Sequence, residues 1–317
     1  LNRSKEEVLA WEKRWSLPVA IATLVGVAAL IGSAAAAGGI SGDGTAEILR
    51  STHEHSSSET LSGIIQGIGF ALFAAPLYYL FRAVRARSTK VRAQLVGLVV
   101  VAPLFLAASV VIGAAAKNEG AKDFVAGQAK STLSASKANE ECTSQRKDEG
   151  AKEFGEEFEP RSGETALAAC ERRKIEDDEA SNAVSEASLS PAAAGLGIAG
   201  GLGIAAAFFY SCLWAMRTGL LGRFWASFGM AVGVAALIGF ILLPMIWFVY
   251  FALLVGGWVP GGKPPAWAAG EAIPWPTPGE KAAEELEPEK PGADPELEIG
   301  DTQTDGSSER RKRKQRD

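Results

Sequence analysis

Four stretches of this chain contain no Asp, Glu, Lys, Arg or His: residues 17–40, 61–81, 95–116 and 191–216, each 21–26 residues long. A helix rises about 1.5 Å per residue and a bilayer's hydrocarbon core is about 30 Å thick, so each run is long enough to span. A buried core helix of a soluble protein is the other home for such a run. Four of them, each flanked by charge, point to an integral membrane protein. A fifth apolar run, residues 224–259, would reach roughly 54 Å as one helix. Pro244 sits in its middle, where proline kinks or breaks a helix. The run reads as two spans, 224–242 and 244–259, joined by a tight turn; one tilted, kinked helix is the alternative. The expected fold is therefore all-α, a multi-pass transmembrane helix bundle of about six spans.

Lys and Arg collect on the cytoplasmic side of such bundles. Arg3, Lys5, Lys13 and Arg14 precede the first span, Arg82, Arg85, Arg87, Lys90 and Arg92 follow the second, and Arg217 and Arg223 follow the fourth. The loop after the first span holds only Arg50. This alternation predicts a multi-pass protein of the cell membrane with a cytoplasmic N-terminus. Residues 1–16 read as a cytoplasmic amphipathic segment, in which Ser4 and Glu7 form a capping box and Val8, Trp11 and Trp15 share a face. The "SAAAA" at residues 33–37 resembles a signal-peptide cleavage site, but the acidic residues Glu6, Glu7 and Glu12 ahead of it favour an uncleaved span.

Residues 117–190 separate spans three and four and fall outside on this topology. Residues 117–187 carry 11 basic and 17 acidic residues with few large apolar ones, too few for an independent core of ordinary stability. Helical extensions of the flanking spans with a looser centre at 157–164 are expected. Ser190 and Pro191 would open the next span as cap and first residue. Cys142 and Cys170 lie in this insertion, where the compartment permits a disulfide, and a bridge there would supply the staple a coreless segment needs. Cys212 lies within a span and reads as a packing residue. The acidic "IEDDEA" at 175–180 lacks the glycine and oxygen spacing of a calcium loop and reads as a solvated helix face.

Three small-residue pairs, Gly63 with Gly67, Gly197 with Gly201, and Gly229 with Gly233, sit one turn apart within spans. They allow close helix packing inside the bundle. The G-x-G-x-x-G at Gly195, Gly197 and Gly200 follows no strand and lies inside a span, so no dinucleotide site is expected. "VGVAALIG" occurs at 25–32 and 232–239, but the flanks do not match and no duplication is inferred. His53 and His55 flank Glu54 ahead of the second span. Two ligands leave zinc short and there is no third histidine, so no metal site is expected. Ser56 and Glu59 read as a second capping box.

No H-E-x-x-H, P-loop or G-x-S-x-G occurs, and no ionisable residue lies within a proposed span. No enzyme, no cofactor and no proton-driven pump is expected. Residues 260–280 combine prolines with Trp267 and Trp275, following Trp258, and predict a strap at the membrane surface. Residues 281–317 read as a disordered charged tail, whose basic cluster at 310–316 suits anionic lipid rather than nucleic acid. The expected partners are the bilayer and a protein bound through the outer insertion or the tail. The function expected is an accessory, scaffold or sensor component of the cell envelope. A transporter or channel subunit for a neutral or amphiphilic solute, using Gln66, Tyr78 or the proline breaks at Pro76, Pro103 and Pro244, is the alternative.

Overall fold

A computed structural model describes residues 4–149, 151–158, 160–161, 163–237 and 242–275. The expected tail, residues 276–280 of the strap and the turn between the last two spans lie outside the described residues. Among the described residues every regular element is helical.

Helix α1 (Lys5–Ala36) starts where the Ser4 hydroxyl accepts the Glu7 N–H at 3.2 Å. It is one 32-residue helix rather than an interfacial segment followed by a separate span. Val8, Glu12, Val19, Thr23, Gly26, Val27, Leu30 and Ser33 make one buried stripe along it. A continuous apolar face outweighs the hydrogen bond lost at Pro18. Helix α2 (Thr45–Glu54) leads to α3 (Ser56–Leu72) and α4 (Ala74–Arg87). The expected capping box at Ser56 does not form: His55 is the cap residue, without a side-chain bond, and Glu59 instead pairs with Lys117 at 3.1 Å. Between α3 and α4 the helix tightens at Phe73, whose N–H reaches back three residues to Phe70. Pro76 explains this, since it offers no N–H to the Leu72 carbonyl and crowds it.

A short 3-10 turn (Ala93–Leu95) opens α5 (Val96–Val125). Helices α6 (Ala135–Glu149), α7 (Ala151–Glu157) and α8 (Ala166–Glu186) follow. Helix α9 (Ser190–Arg217) has Pro191 in its first turn, but the cap residue is Leu189 rather than Ser190. The chain continues through α10 (Arg223–Leu237), α11 (Leu242–Gly256) and α12 (Pro265–Ala269).

Four helices are long and apolar enough to cross a membrane: Lys5–Ala36, Ser56–Arg87, Ala93–Val125 and Ser190–Arg217. Helices α10 and α11, at 15 residues each, reach only about 22 Å apiece. They fold back on one another. The Trp225 and Tyr250 rings stack with centroids 3.5 Å apart, and the Trp247 indole donates to the Trp225 carbonyl at 3.1 Å. Residues so far apart in sequence do not meet along a single kinked helix. Pro244 falls in the first turn of α11, where its missing N–H costs nothing.

Glycines set the closest crossings. A Cβ on Gly63 or Gly67 would lie 2.5 or 2.6 Å from Ala114 or Val111 of α5. A Cβ on Gly233 would meet the Ala205 carbonyl at 3.0 Å, and one on Gly229 would overlap Cys212 and Trp247. On α9 the pattern differs from the expected pair. A Cβ on Gly197 would lie 2.9 Å from Ser109 Oγ, yet one on Gly201 would meet only Leu237, at an ordinary 3.8 Å. Gly200 and Gly203 carry the contact instead: a Cβ there would lie 2.8 Å from the Leu106 nitrogen or 2.6 Å from Ala102 Cβ. A spacing of three keeps residues on the α5-facing side as well as a spacing of four does.

The end of the bundle holding the start of α1 is closed by a polar node. The Glu12 and Arg87 side chains, 5% and 0% exposed, form a two-pronged ion pair. Arg87 also donates to the Ala266 carbonyl at 2.9 and 3.1 Å, and the Tyr79 hydroxyl donates to the Glu12 carbonyl at 3.1 Å. Trp267 is 5% exposed and its indole donates to Leu220 O at 2.9 Å. It is a buried plug between helix ends, not the surface anchor expected from its composition. Trp275 holds Leu221 O at 2.9 Å. Gly219, at φ +74°, leaves room for the Ile273 carbonyl, a fit that a side chain would block.

Candidate functional site

The opposite end carries a lobe built from α2, the last turns of α5, and α6 to α8. Its apolar contacts are small and divided in two. Ala46, Leu49, Ala121, Ala180 and Ala183 form one cluster where α2, α5 and α8 meet. Phe154, Phe158 and Ala169 pack around Cys142 and Cys170 in the other. Gly120 brings α5 against α8: a Cβ there would sit 2.8 Å from the Ala183 carbonyl. The cysteine Sγ atoms are at disulfide distance, 2.00 Å. They join α6 to α8 where the chain offers few large apolar side chains.

Polar contacts do the rest of the joining, and the run at 175–180 is their hub. It is not the solvated acidic face expected from its composition. Glu176 takes Arg50 at 2.7 Å and Arg172 at 3.5 Å. Asp177 accepts the Ala46 N–H at 2.8 Å, capping α2, whose own cap residue Gly44 has no side chain to do so. Asp178 accepts Ser131 Oγ at 2.8 Å and the Thr132 and Leu133 N–H groups at 2.7 and 3.0 Å. Apart from Arg172, one turn away on the same helix, these partners lie more than 40 residues away in sequence, which is why helical periodicity does not reveal them.

The electrostatics follow. The Ser131 hydroxyl, with the Leu133 and Thr132 amides, holds Asp178 below the usual carboxylate range. Hydrogen bonds from Arg172 and from the Arg161 amide lower Glu164. Burial alone would raise Glu176, but Arg50 and Arg172 outweigh it and the net shift is downward.

Between α2, residues Glu157, Phe158 and Arg161, and α8 lies an open cleft of about 360 Å³, walled by Arg50, Arg161, Arg172 and Arg173 together with Asp43, Glu47, Glu157, Glu176 and Asp177. The acids are largely engaged within the lobe. Glu47 accepts the Asp43 N–H at 2.9 Å, and Glu176 and Asp177 are committed as described. Arg50 and Arg172 are engaged as well, but Arg161 and Arg173 are less so. Arg173 donates one N–H to the Asp43 carbonyl and lies 5.7 Å from the Phe158 ring, while the Arg161 guanidinium makes no hydrogen bond among the described residues. Each guanidinium carries five donors in a planar fork suited to carboxylate or phosphate.

The sequence singled out the insertion, and Arg50 only as a marker of topology, but none of these arginines as part of a site. Their signal was the excess of Arg over Lys at 161–173, which gains meaning only once α2 is known to lie alongside. The histidines do not enter the cleft. His53 is in the last turn of α2 and His55 at the α2–α3 junction, its Nδ1 3.1 Å from the Ser51 carbonyl. Among the described residues no cluster of three metal-ligating side chains occurs. Gln66 is half-buried on α3, and the Tyr78 hydroxyl accepts from Arg82 at 3.3 Å. No family model matches this chain, and no curated protein or solved structure matches it either.

Proposed function

We propose that this chain is a non-catalytic membrane protein that displays the cleft of its helical lobe to a partner outside the cell. The bundle would be the anchor, with its four long helices and the α10–α11 hairpin as six membrane segments and the Glu12–Arg87 end on the cytoplasmic side. The chain would serve as an accessory or scaffold component of the cell envelope. The observation that carries the reading is the cleft itself. Three sequence-distant segments converge there, with Glu176 and Asp177 engaged by Arg50 and the Ala46 N–H across segments and Arg161 and Arg173 retaining free N–H groups. Such a surface selects a carboxylate-bearing segment of a partner protein through paired, charge-assisted hydrogen bonds. A bond between Cys142 and Cys170 would hold the second wall while the first is anchored on the bundle.

The test is a photo-crosslinking residue at Glu157 in the full chain in its native membrane, with the adducts identified by mass spectrometry. One protein adduct is expected, lost when Arg161→Glu and Arg173→Glu are combined. Adduct formation unaffected by that charge reversal would overturn the reading.

A further inference from the structure

An apolar groove of about 450 Å³ runs between α1 and α4, lined by Trp11, Trp15, Val19 and Ala22 on one side and Ala75 and Tyr78 on the other. Arg82 stands among the lining residues, its guanidinium 4.1 Å from the Trp11 ring and hydrogen-bonded to the Tyr78 hydroxyl. It makes no ion pair among the described residues, although Arg87, five residues on, is fully engaged with Glu12. The groove therefore has a greasy wall, an aromatic collar and one uncompensated positive charge.

We infer that this groove binds one anionic phospholipid, its phosphate on Arg82 and an acyl chain laid between α1 and α4. The dimensions agree. From Trp11 to Ala22 the helix rises about 16 Å, close to half of a hydrocarbon core of about 30 Å, the thickness of one leaflet. The aromatic side chains stand where indoles and phenols sit at a headgroup boundary. Trp15, 45% exposed, leaves the groove open sideways, as a lipid entering from the bilayer requires. A soluble acidic peptide would leave the apolar wall uncovered, and a neutral lipid would leave Arg82 unneutralised. Arg82 keeps N–H donors free after its bond to Tyr78, enough for a two-pronged grip on a phosphate.

The inference rests on the reading that the long helices cross a bilayer, and the test separates the two. The full chain is reconstituted into phosphatidylcholine vesicles and floated. It is then exchanged into vesicles of equal phosphatidylcholine and phosphatidylglycerol, and the lipids retained after gentle extraction are counted by native mass spectrometry. Failure to float would refute the bilayer reading and the lipid site with it. Flotation followed by one phosphatidylglycerol retained about fivefold over its bulk ratio is the expected result, from one basic residue near the surface. Arg82→Gln should abolish the enrichment, whereas Arg85→Gln, on the exposed side of the same helix, should leave it intact. Ala75→Trp, which fills the groove and keeps Arg82, should also abolish it. Equal retention of the two lipids, or enrichment surviving in both Arg82→Gln and Ala75→Trp, would overturn the site.

Discussion

The two ends of the molecule solve one problem in opposite ways. Each must hold charged residues in place around helix ends. At the strap end the charges are few and dry: Glu12 and Arg87 are enclosed by Tyr79, Trp267 and the Ala266 carbonyl. At the lobe end they are many and wet: Arg50, Arg172, Glu164 and Glu176 form a chain of pairs with side chains 18–47% exposed. A dry pair gives a unique geometry at the cost of desolvation, and each partner becomes indispensable to the other. Wet pairs are individually weak, so the lobe leans on a cysteine pair and on carboxylates that gather backbone amides.

That contrast is open to direct attack. Arg87→Met strands the Glu12 carboxylate and frees the Ala266 carbonyl. It should destabilise the purified chain by about 3–5 kcal/mol, and adding Glu12→Gln should recover much of the loss. A thermal melt in detergent would show this, and a single variant within 1 kcal/mol of the parent would mean that the node is not dry.

The next effect should be at the lobe. The Cys142–Cys170 pair is separated by 28 residues, and closing a loop of that size stabilises by about 3–4 kcal/mol in the chain-entropy model. Replacing both with Ser should make α6 to α8 sensitive to limited proteolysis while the long helices stay protected. Simultaneous release of both regions would show that the ends are not independent.

Smaller still are the glycines. A Cβ on Gly67 or Gly203 would itself lie 2.6 Å from Val111 or Ala102, so Gly67→Val or Gly203→Val should cost about 1–3 kcal/mol. Gly201→Val, with ordinary clearance at 3.8 Å, should be nearly neutral. Comparing their melting temperatures checks the α3–α5 and α5–α9 faces; equal losses would disprove them.

The gentlest probe is pH. Asp178, Glu164 and Glu176 have folded pKa values below their ordinary ones. Their contribution is complete above the unfolded values near 4 and is lost as pH falls through the folded ones. Hydrogen exchange should therefore show α2 and the 131–133 turn losing protection as the solution is acidified below about pH 4. Protection that does not change would mean these carboxylates are not holding the lobe.

Much of this was legible in the residues. The four charge-free runs determined where the long helices fall, because an uncharged apolar stretch of that length, long enough to cross a membrane, satisfies its backbone bonds internally as a helix. The helical character of 117–190 was legible too, and so was the value of a staple between Cys142 and Cys170, since a segment with so few large apolar residues cannot build its own core. Only the tertiary structure decided the rest. That Glu12 meets Arg87, that Asp177 caps a helix 131 residues earlier, and that Trp267 is a plug rather than an anchor are consequences of which helix ends share a corner. Periodicity fixes the face a residue occupies on its own helix. It carries no information about which distant charge that face will meet, and in this chain the buried ion pair, the arginine cleft and the apolar groove between α1 and α4 all lie at such meetings.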